Sequence, residues 1–248
     1  MCRLSIAPVR PPLPIPIADY RHTPYSPPSM LARLDHIRNW IFDLDNTLYP
    51  ASADLFSQID TKMTGYIADR FELEWAEARR IQKGYFLDHG TTLAGLMSEH
   101  DVDPHHFLDY VHDIEMDVLE ENAPLAAAIA RLPGRKIVFT NGDGPYATRV
   151  LARLGLGESF EGVHDIHAMD LKPKPQPSAY AGLCAAFELD PKESLFVDDM
   201  ARNLAPAAAI GMTTVWVDNG SEQAADADRG FIHFTTHDIT HWLHEVLK

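Results

Sequence analysis

The sequence predicts an α/β fold, a parallel sheet doubly wound by helices, with a helical block inserted after the first strand. Three observations carry the prediction. Trp40–Phe42, Ile137–Phe139, Leu195–Val197 and Thr213–Val217 are apolar on successive residues and each ends in polar or small residues. Runs this short and this apolar suit strands covered on both faces. Helical segments separate the later runs, and strand alternating with helix implies parallel pairing through right-handed crossovers. The interval before Ile137 is too long for a single crossover helix and reads as several helices.

Taken in order, the chain opens on a segment crowded with Pro8, Pro11, Pro12, Pro14, Pro16, Pro24, Pro27 and Pro28. Proline removes backbone donors and fixes φ, so residues 1–35 are expected to form an extended, loosely held arm. It lacks the continuous apolar centre of a secretory signal. Docking to a proline-reading domain is the alternative to a dispensable tail. The organised pattern starts near Met30, where the working chain is expected to begin.

The first strand, Trp40–Phe42, is followed by the inserted block, expected over residues 50–121. Leu55, Phe56, Ile59, Met63, Tyr66 and Ile67 recur at helical spacing, and Glu72 to Asp88 continues in the same vein up to Gly90. Asp103-Pro104 reads as an N-cap followed by proline in the first turn, opening a helix through Phe107, Leu108, Val111 and Ile114. Asn122 to Leu132 returns the chain to the sheet. The sheet domain is thus expected over residues 36–49 and 122–248. Its helices are expected at Pro145–Leu154, Ser178–Glu188 and Ala205–Ile210, with weaker strands near Val163–Ile166 and Phe231–Phe234.

Charge narrows the function classes. Asp+Glu 36 against Lys+Arg 21 gives a formal net charge of -15, which argues against nucleic acid or an anionic membrane as partner. No apolar run approaches the ~20 residues that span a bilayer. The two cysteines, Cys2 and Cys184, make neither a disulfide framework nor a zinc cluster, so a reducing cytoplasm is the expected setting. An anionic substrate would need locally placed positive charge.

In parallel sheets ligands gather beyond the carboxyl ends of the strands. Those ends carry Asp43 and Asp45, Thr140-Asn141-Gly142, and Asp198-Asp199, while the loop "LKPKPQPSAY" adds Lys172 and Lys174. A carboxylate cluster with a lysine suits a divalent, oxygen-loving cation together with a phosphate, and magnesium is commonly held by one or two carboxylates plus substrate phosphate. Taken singly, each residue has a plainer use. Asp43 and Asp45 fit a strand-end turn, Thr140 a strand-end hydroxyl, and Lys174 a solvated loop. The lid aromatics Tyr49, Phe56, Tyr66, Tyr85 and Phe86 fit core packing better than base stacking, with Tyr49, at the hinge, the favoured exception. His237, His241 and His244 read as a solvated stripe on a terminal helix rather than a zinc site.

Four motifs in order change that balance. "DLDNT" at Asp43, "TNG" at Thr140, "KPQPSAY" from Lys174 and "VDDMARN" from Val197 resemble the four motifs of the haloacid dehalogenase superfamily, from about Trp40 to Gly211. "DLDNTLYP" and the paired aspartates most resemble the pyrimidine 5′-nucleotidase group, which carries a helical cap. The resemblance implies a Rossmann-like core and a Mg2+-dependent phosphatase. Asp43 would be the nucleophile, forming an aspartyl-phosphate. Asp45 would protonate the leaving alcohol and then deprotonate the hydrolytic water. Thr140, the Asn141 backbone and Lys174 would bind phosphate; Lys174, not Lys172, has the family's spacing to Tyr180. The metal would sit on the Asp43 carboxylate, the Asp45 carbonyl and the Asp199 carboxylate. Asn46 stands where the family usually has glycine and Asn203 where a second acid often follows, so either Asp198 or Asn203 could assist the metal.

The acid at Asp45 favours a phosphate ester over a halide, because halide leaves without a proton. The implied partner is a small phosphorylated metabolite, a pyrimidine nucleoside 5′-monophosphate such as UMP or CMP. A sugar phosphate or phosphoglycolate-like metabolite is the near alternative. Two other readings are a phospho-accepting, receiver-like signalling module and a binding protein that kept the fold without turnover.

Overall fold

The computed structural model describes residues 33–220 and 229–248, so residues 1–32 of the expected arm, with the expected start near Met30, lie outside the described residues; at the end of that range Leu34 is buried rather than loosely held. The strands are β1 (Asn39–Phe42), β2 (Arg135–Phe139), β3 (Gly162–His164), β4 (Ser194–Asp198), β5 (Thr213–Val217) and β6 (Phe234–Thr236). They form one 6-stranded sheet in the order β3-β2-β1-β4-β5-β6, and every pairing is parallel. The fold is the α/β, doubly wound core predicted, with helices inserted after its first strand. β1 lies in the middle, and Trp40, Ile41 and Phe42 are fully buried, which is why they read as a continuous apolar run.

Register brings the strand ends together. Phe42 pairs with Val138 of β2 and with Val197 of β4. Asp43, one residue on, therefore lies level with Phe139 and Asp198, and its N–H donates to the Val197 carbonyl at 2.9 Å. The turn into β2 is tight. Gly134 has φ +81°, and a Cβ there would fall 2.1 Å from the Arg38 carbonyl oxygen.

Between β1 and β2 run α1 (Leu55–Phe71), α2 (Trp75–His89), α3 (Thr92–His100), α4 (Pro104–His112) and α5 (Ala123–Arg131). α2 packs on α1 and α3, and α4 on α1. The expected caps form: the Asp103 carboxylate accepts the His105 N–H, and the Asn122 side chain accepts the Leu125 N–H. α4 stops at His112, short of the expected Ile114. α3 went unpredicted, although Thr91 caps it through the Ala94 N–H and Leu93 and Leu96 bury its inner face.

The remaining helices are α6 (Gly144–Arg153), α7 (Pro177–Ala186), α8 (Ala201–Ala209) and α9 (Ile239–Val246). α8 begins earlier than expected because Pro206 sits inside it. An internal proline normally marks a helix start, and here it does not. β3 ends at His164, where Asp165 turns back to accept the Gly144 N–H at 2.7 Å. β6 starts only at Phe234; the Phe231 carbonyl instead accepts the Thr214 hydroxyl at 2.6 Å.

Candidate active site

The residue that makes the acidic strand end tolerable comes from a distant loop. Lys174 is 1% exposed. Its ammonium donates to Asp43 Oδ1 at 2.7 Å, Asp198 Oδ2 at 2.7 Å and the Phe139 carbonyl at 2.8 Å. An ammonium has three protons, and all are used. Burial works against the charged lysine, but the Asp198 and Asp43 carboxylates outweigh it and raise its pKa. Asn141 fixes the loop from the end of β2: its side chain accepts the Lys174 N–H at 2.8 Å and donates to the Lys174 carbonyl at 3.1 Å. Lys172 is exposed and takes no part in this contact.

Asp43, Asp198 and Asp199 bring one carboxylate oxygen each to within 4.8 Å of one another, the one such metal-competent cluster among the described residues. His237, His241 and His244 do not form another. Asp198 lies deepest. Besides Lys174 it accepts the Met200 N–H at 2.8 Å and the Asn203 amide at 3.0 and 3.1 Å. Burial pushes Asp198 up to about 7, against the pull of Lys174. Each of its partners is a donor, the arrangement a carboxylate requires. Asn203 turns its nitrogen onto Asp198, leaving its own Oδ1 buried without a hydrogen-bond partner. The three carboxylates make an all-oxygen donor set, which fits magnesium.

Asp45 follows two residues after Asp43, and the backbone turns immediately after it at Asn46, with φ +56°. Asparagine tolerates this left-handed conformation better than most residues, so it can stand where glycine is usual. Asp45 is partly exposed, and its Oδ1 accepts the Tyr49 hydroxyl at 2.6 Å and the Tyr146 hydroxyl at 2.6 Å. Burial and the neighbouring Asp43 charge raise its pKa, while the two phenols pull it down. Burial also drives both phenols well above the usual tyrosine range, so they remain donors.

Above these residues lies a cavity of about 460 Å³. Asp43, Asp45, Asn141, Lys174 and Asp199 border it from the sheet edge, and Phe56, Phe86, Leu93 and Phe107 from the inserted helices. Thr140 is fully buried and does not border it; its Oγ accepts the Gly142 N–H at 3.0 Å. Tyr49 does not border it either, contrary to the expectation that it was the lid aromatic free for a ligand. Its hydroxyl is committed to Asp45. Of the lid aromatics named from the sequence, Phe56 and Phe86 border the cavity, while Tyr66 packs edge-on against Phe107, with ring centroids 5.0 Å apart.

Several residues went unread in the sequence. Thr47 donates to Asp43 Oδ2 at 3.1 Å, and its place four residues on, in the turn of "DLDNT", was the available signal. His112 meets Asp143 at 3.0 Å and stacks on Tyr146 at 4.3 Å, joining the end of α4 to the start of α6. Nothing in either segment pairs them in advance, since the contact spans the insertion.

A family model described as haloacid dehalogenase-like hydrolase matches residues 37–211. The chain belongs to this hydrolase family. Phosphate metabolism protein 8 from Saccharomyces cerevisiae is 24% identical over 191 residues, which cover 70% of this chain and 59% of the yeast protein. The chain thus spans less than two thirds of that relative's length. Among solved structures, the magnesium-bound HAD-hydrolase YfnB from Bacillus subtilis superposes with TM-score 0.57 at 12% identity, covering 85% of this chain and 98% of that one. A HAD phosphatase from Thermococcus onnurineus gives 0.57 at 16%, with the same 85% and 98% coverage. The L-2-haloacid dehalogenase from Xanthobacter autotrophicus gives 0.54 at 18%, again covering 85% and 98%. Identities this low establish a shared fold.

Proposed function

We propose that the chain is a magnesium-dependent phosphomonoesterase acting through Asp43. One observation carries the reading. The Asp43 carboxylate is tied to buried Lys174 at 2.7 Å on the floor of a cavity that a second carboxyl group, Asp45, also borders. A hydrolase that displaced halide would have no use for that acid.

In the proposed reaction an Asp43 oxygen attacks phosphorus and the ester P–O bond breaks. The departing oxygen takes the proton held by Asp45, giving the free alcohol. Water then loses a proton to Asp45 and attacks the same phosphorus, releasing inorganic phosphate and restoring both carboxyl groups. The backbone at Asn141 would hold the phosphoryl oxygens, and Lys174 would reach them by giving up one of its present acceptors, while Thr140, buried and away from the cavity, holds the Gly142 N–H instead. Asp43, the Asp45 carbonyl and Asp199 would hold magnesium, with Asp198 or Asn203 assisting. Bound there, the cation supplies electrostatic relief between the nucleophile and the phosphate.

The expected substrate is a pyrimidine nucleoside 5′-monophosphate. The aromatic and aliphatic ceiling of Phe56, Phe86, Leu93 and Phe107 favours a planar base over a sugar. Residues 50–121 serve as the cap that excludes water and selects the leaving group. A reducing cytoplasm is the setting proposed, from the sparse cysteines of the sequence.

The test is phosphate release from UMP, CMP, sugar phosphates and phosphoglycolate, with and without magnesium. Turnover should require magnesium and favour UMP or CMP; preference for a sugar phosphate would overturn the nucleotide reading. Asp43→Asn should abolish turnover, and Asp45→Asn should slow it by about 10²–10⁴. Near-normal release from either variant would remove the assignment, and a long-lived phosphoprotein without turnover would favour a receiver-like module.

A further inference from the structure

We infer that Tyr49 and Tyr146 are positioning residues that turn Asp45 so that its proton sits on Oδ2, the oxygen left for the substrate. The inference rests on the proposed role of Asp45 as proton donor. Both phenols donate to the same atom, Oδ1, each at 2.6 Å. Two donors occupy the two lone pairs of that oxygen. Among the described residues no hydrogen bond reaches Oδ2, on a side chain that borders the cavity. A proton placed on Oδ1 instead would strip one buried hydroxyl of its acceptor. The carboxyl group is therefore held in one of its two orientations.

The clamp is itself built in. Tyr49 and Tyr146 are both buried, and they approach Asp45 from the turn after β1 and from the first turn of α6. Gly142 leaves room for the second ring: a Cβ there would lie 3.0 Å from Tyr146 Cδ1. Asp143 Oδ1 accepts the Tyr146 N–H at 2.8 Å. Asp143 Oδ2 meets His112 at 3.0 Å, and the His112 ring stacks on Tyr146 with centroids 4.3 Å apart and planes 10° apart. His112 ends α4, so the inserted helices reach the acid's clamp through this ring stack and the Asp143 contact.

A residue that merely supports the fold would affect all substrates alike, whereas one that aims an acid matters only when the leaving oxygen needs a proton. The experiment compares kcat/KM for p-nitrophenyl phosphate, whose leaving group departs readily as an anion, with UMP and glycerol 3-phosphate, whose alkoxides do not. It uses the full chain with magnesium and the variants Tyr49→Phe, Tyr146→Phe and their double. The ratio kcat/KM reports the first phosphoryl transfer, so the later hydrolysis shared by all substrates does not mask the effect. Each single variant should lose about 10-fold on the alkyl phosphates and the double about 100-fold, with less than about 3-fold lost on the aryl ester. Equal losses on both substrate types, or none, would overturn the clamp. If Tyr146→Phe does not fold, Tyr49→Phe decides alone. Asp45→Asn separates the two ideas. If it discriminates between alkyl and aryl esters, the acid assignment stands and the tyrosine variants judge the clamp; if it does not, the acid assignment fails and the clamp falls with it.

Discussion

Lys174→Met keeps an unbranched side chain of similar reach and removes the charge that Asp43 and Asp198 share. The lysine is 1% exposed and contacts each carboxylate at 2.7 Å, so the variant leaves two buried anions facing each other. Removing one partner of a buried ion pair costs about 3–5 kcal/mol. Total stability is about 5–15 kcal/mol, so the loss is a large fraction of it. For a chain of this length each kcal/mol lowers Tm by about 2–4 °C, giving an expected drop of about 6–20 °C. Adding Asp198→Asn removes one of the stranded charges while its Oδ1 can still accept the Met200 N–H now seen at 2.8 Å. The double variant should therefore regain about 1–3 kcal/mol over Lys174→Met. Thermal unfolding followed by circular dichroism, in chelator so that no cation takes the lysine's place, measures both. A double variant that melts no higher than Lys174→Met would refute the claim that the lysine offsets carboxylate repulsion.

Two further changes probe the frame around the site. Gly134→Ala would set a methyl group 2.1 Å from the Arg38 carbonyl oxygen, on a backbone with φ +81°, and should cost at least about 2 kcal/mol in chemical denaturation. Unchanged stability would mean the turn relaxes freely. Burial holds His164 below the usual histidine pKa, with Asp165 pulling the other way, and its Nε2 has no partner where the Phe139 and Phe187 rings pack. The unfolded chain thus binds this proton more readily, so the contribution is intact above about pH 6.5 and is lost as pH falls through the lower folded value. His164→Leu should flatten the decline of Tm between about pH 7 and 5; an unaltered decline would exclude His164 as its source.

What could be read in advance was whatever local chemistry decides. Trp40–Phe42 is apolar on both faces because β1 lies between β2 and β4, and a central strand has no solvent face to mark. Asp103-Pro104 and Asn122 are caps, and caps act within a single turn of chain. The acidic strand ends were legible for the same reason, each following its own apolar run. The roles of Tyr146 and Asn203 were not. Tyr146 meets Asp45 across 101 positions, and a tyrosine in the first turn of a helix reads as core. Asn203 reads as a weakened ligand, yet the structure shows its amide nitrogen holding Asp198, a role visible only once both side chains are placed. α3 escaped because the helical pattern was followed only up to Gly90, whereas Thr91 just beyond it caps a further helix.

The charge on the cavity floor bears directly on what the site can accept. Asp43, Asp198 and Asp199 crowd together, and Lys174 is the ammonium among them, its protons committed to Asp43, Asp198 and the Phe139 carbonyl. With all three acids ionised the floor carries two net negative charges. A phosphate dianion about 5 Å away would meet repulsion on the order of 10 kcal/mol at an effective dielectric of about 20. Millimolar binding supplies only about 4 kcal/mol. Lys174 cannot close that gap, since any proton it turns to the substrate is withdrawn from a buried acceptor. A chain of net charge -15 offers no long-range attraction in compensation. In the proposed reaction a divalent cation on the carboxylates and an uncharged Asp45 would offset that repulsion while the ester binds. Burial and the Asp43 charge already push Asp45 in that direction. If the proposed function holds, the cation would therefore aid the entry of phosphate as well as the bond-breaking step.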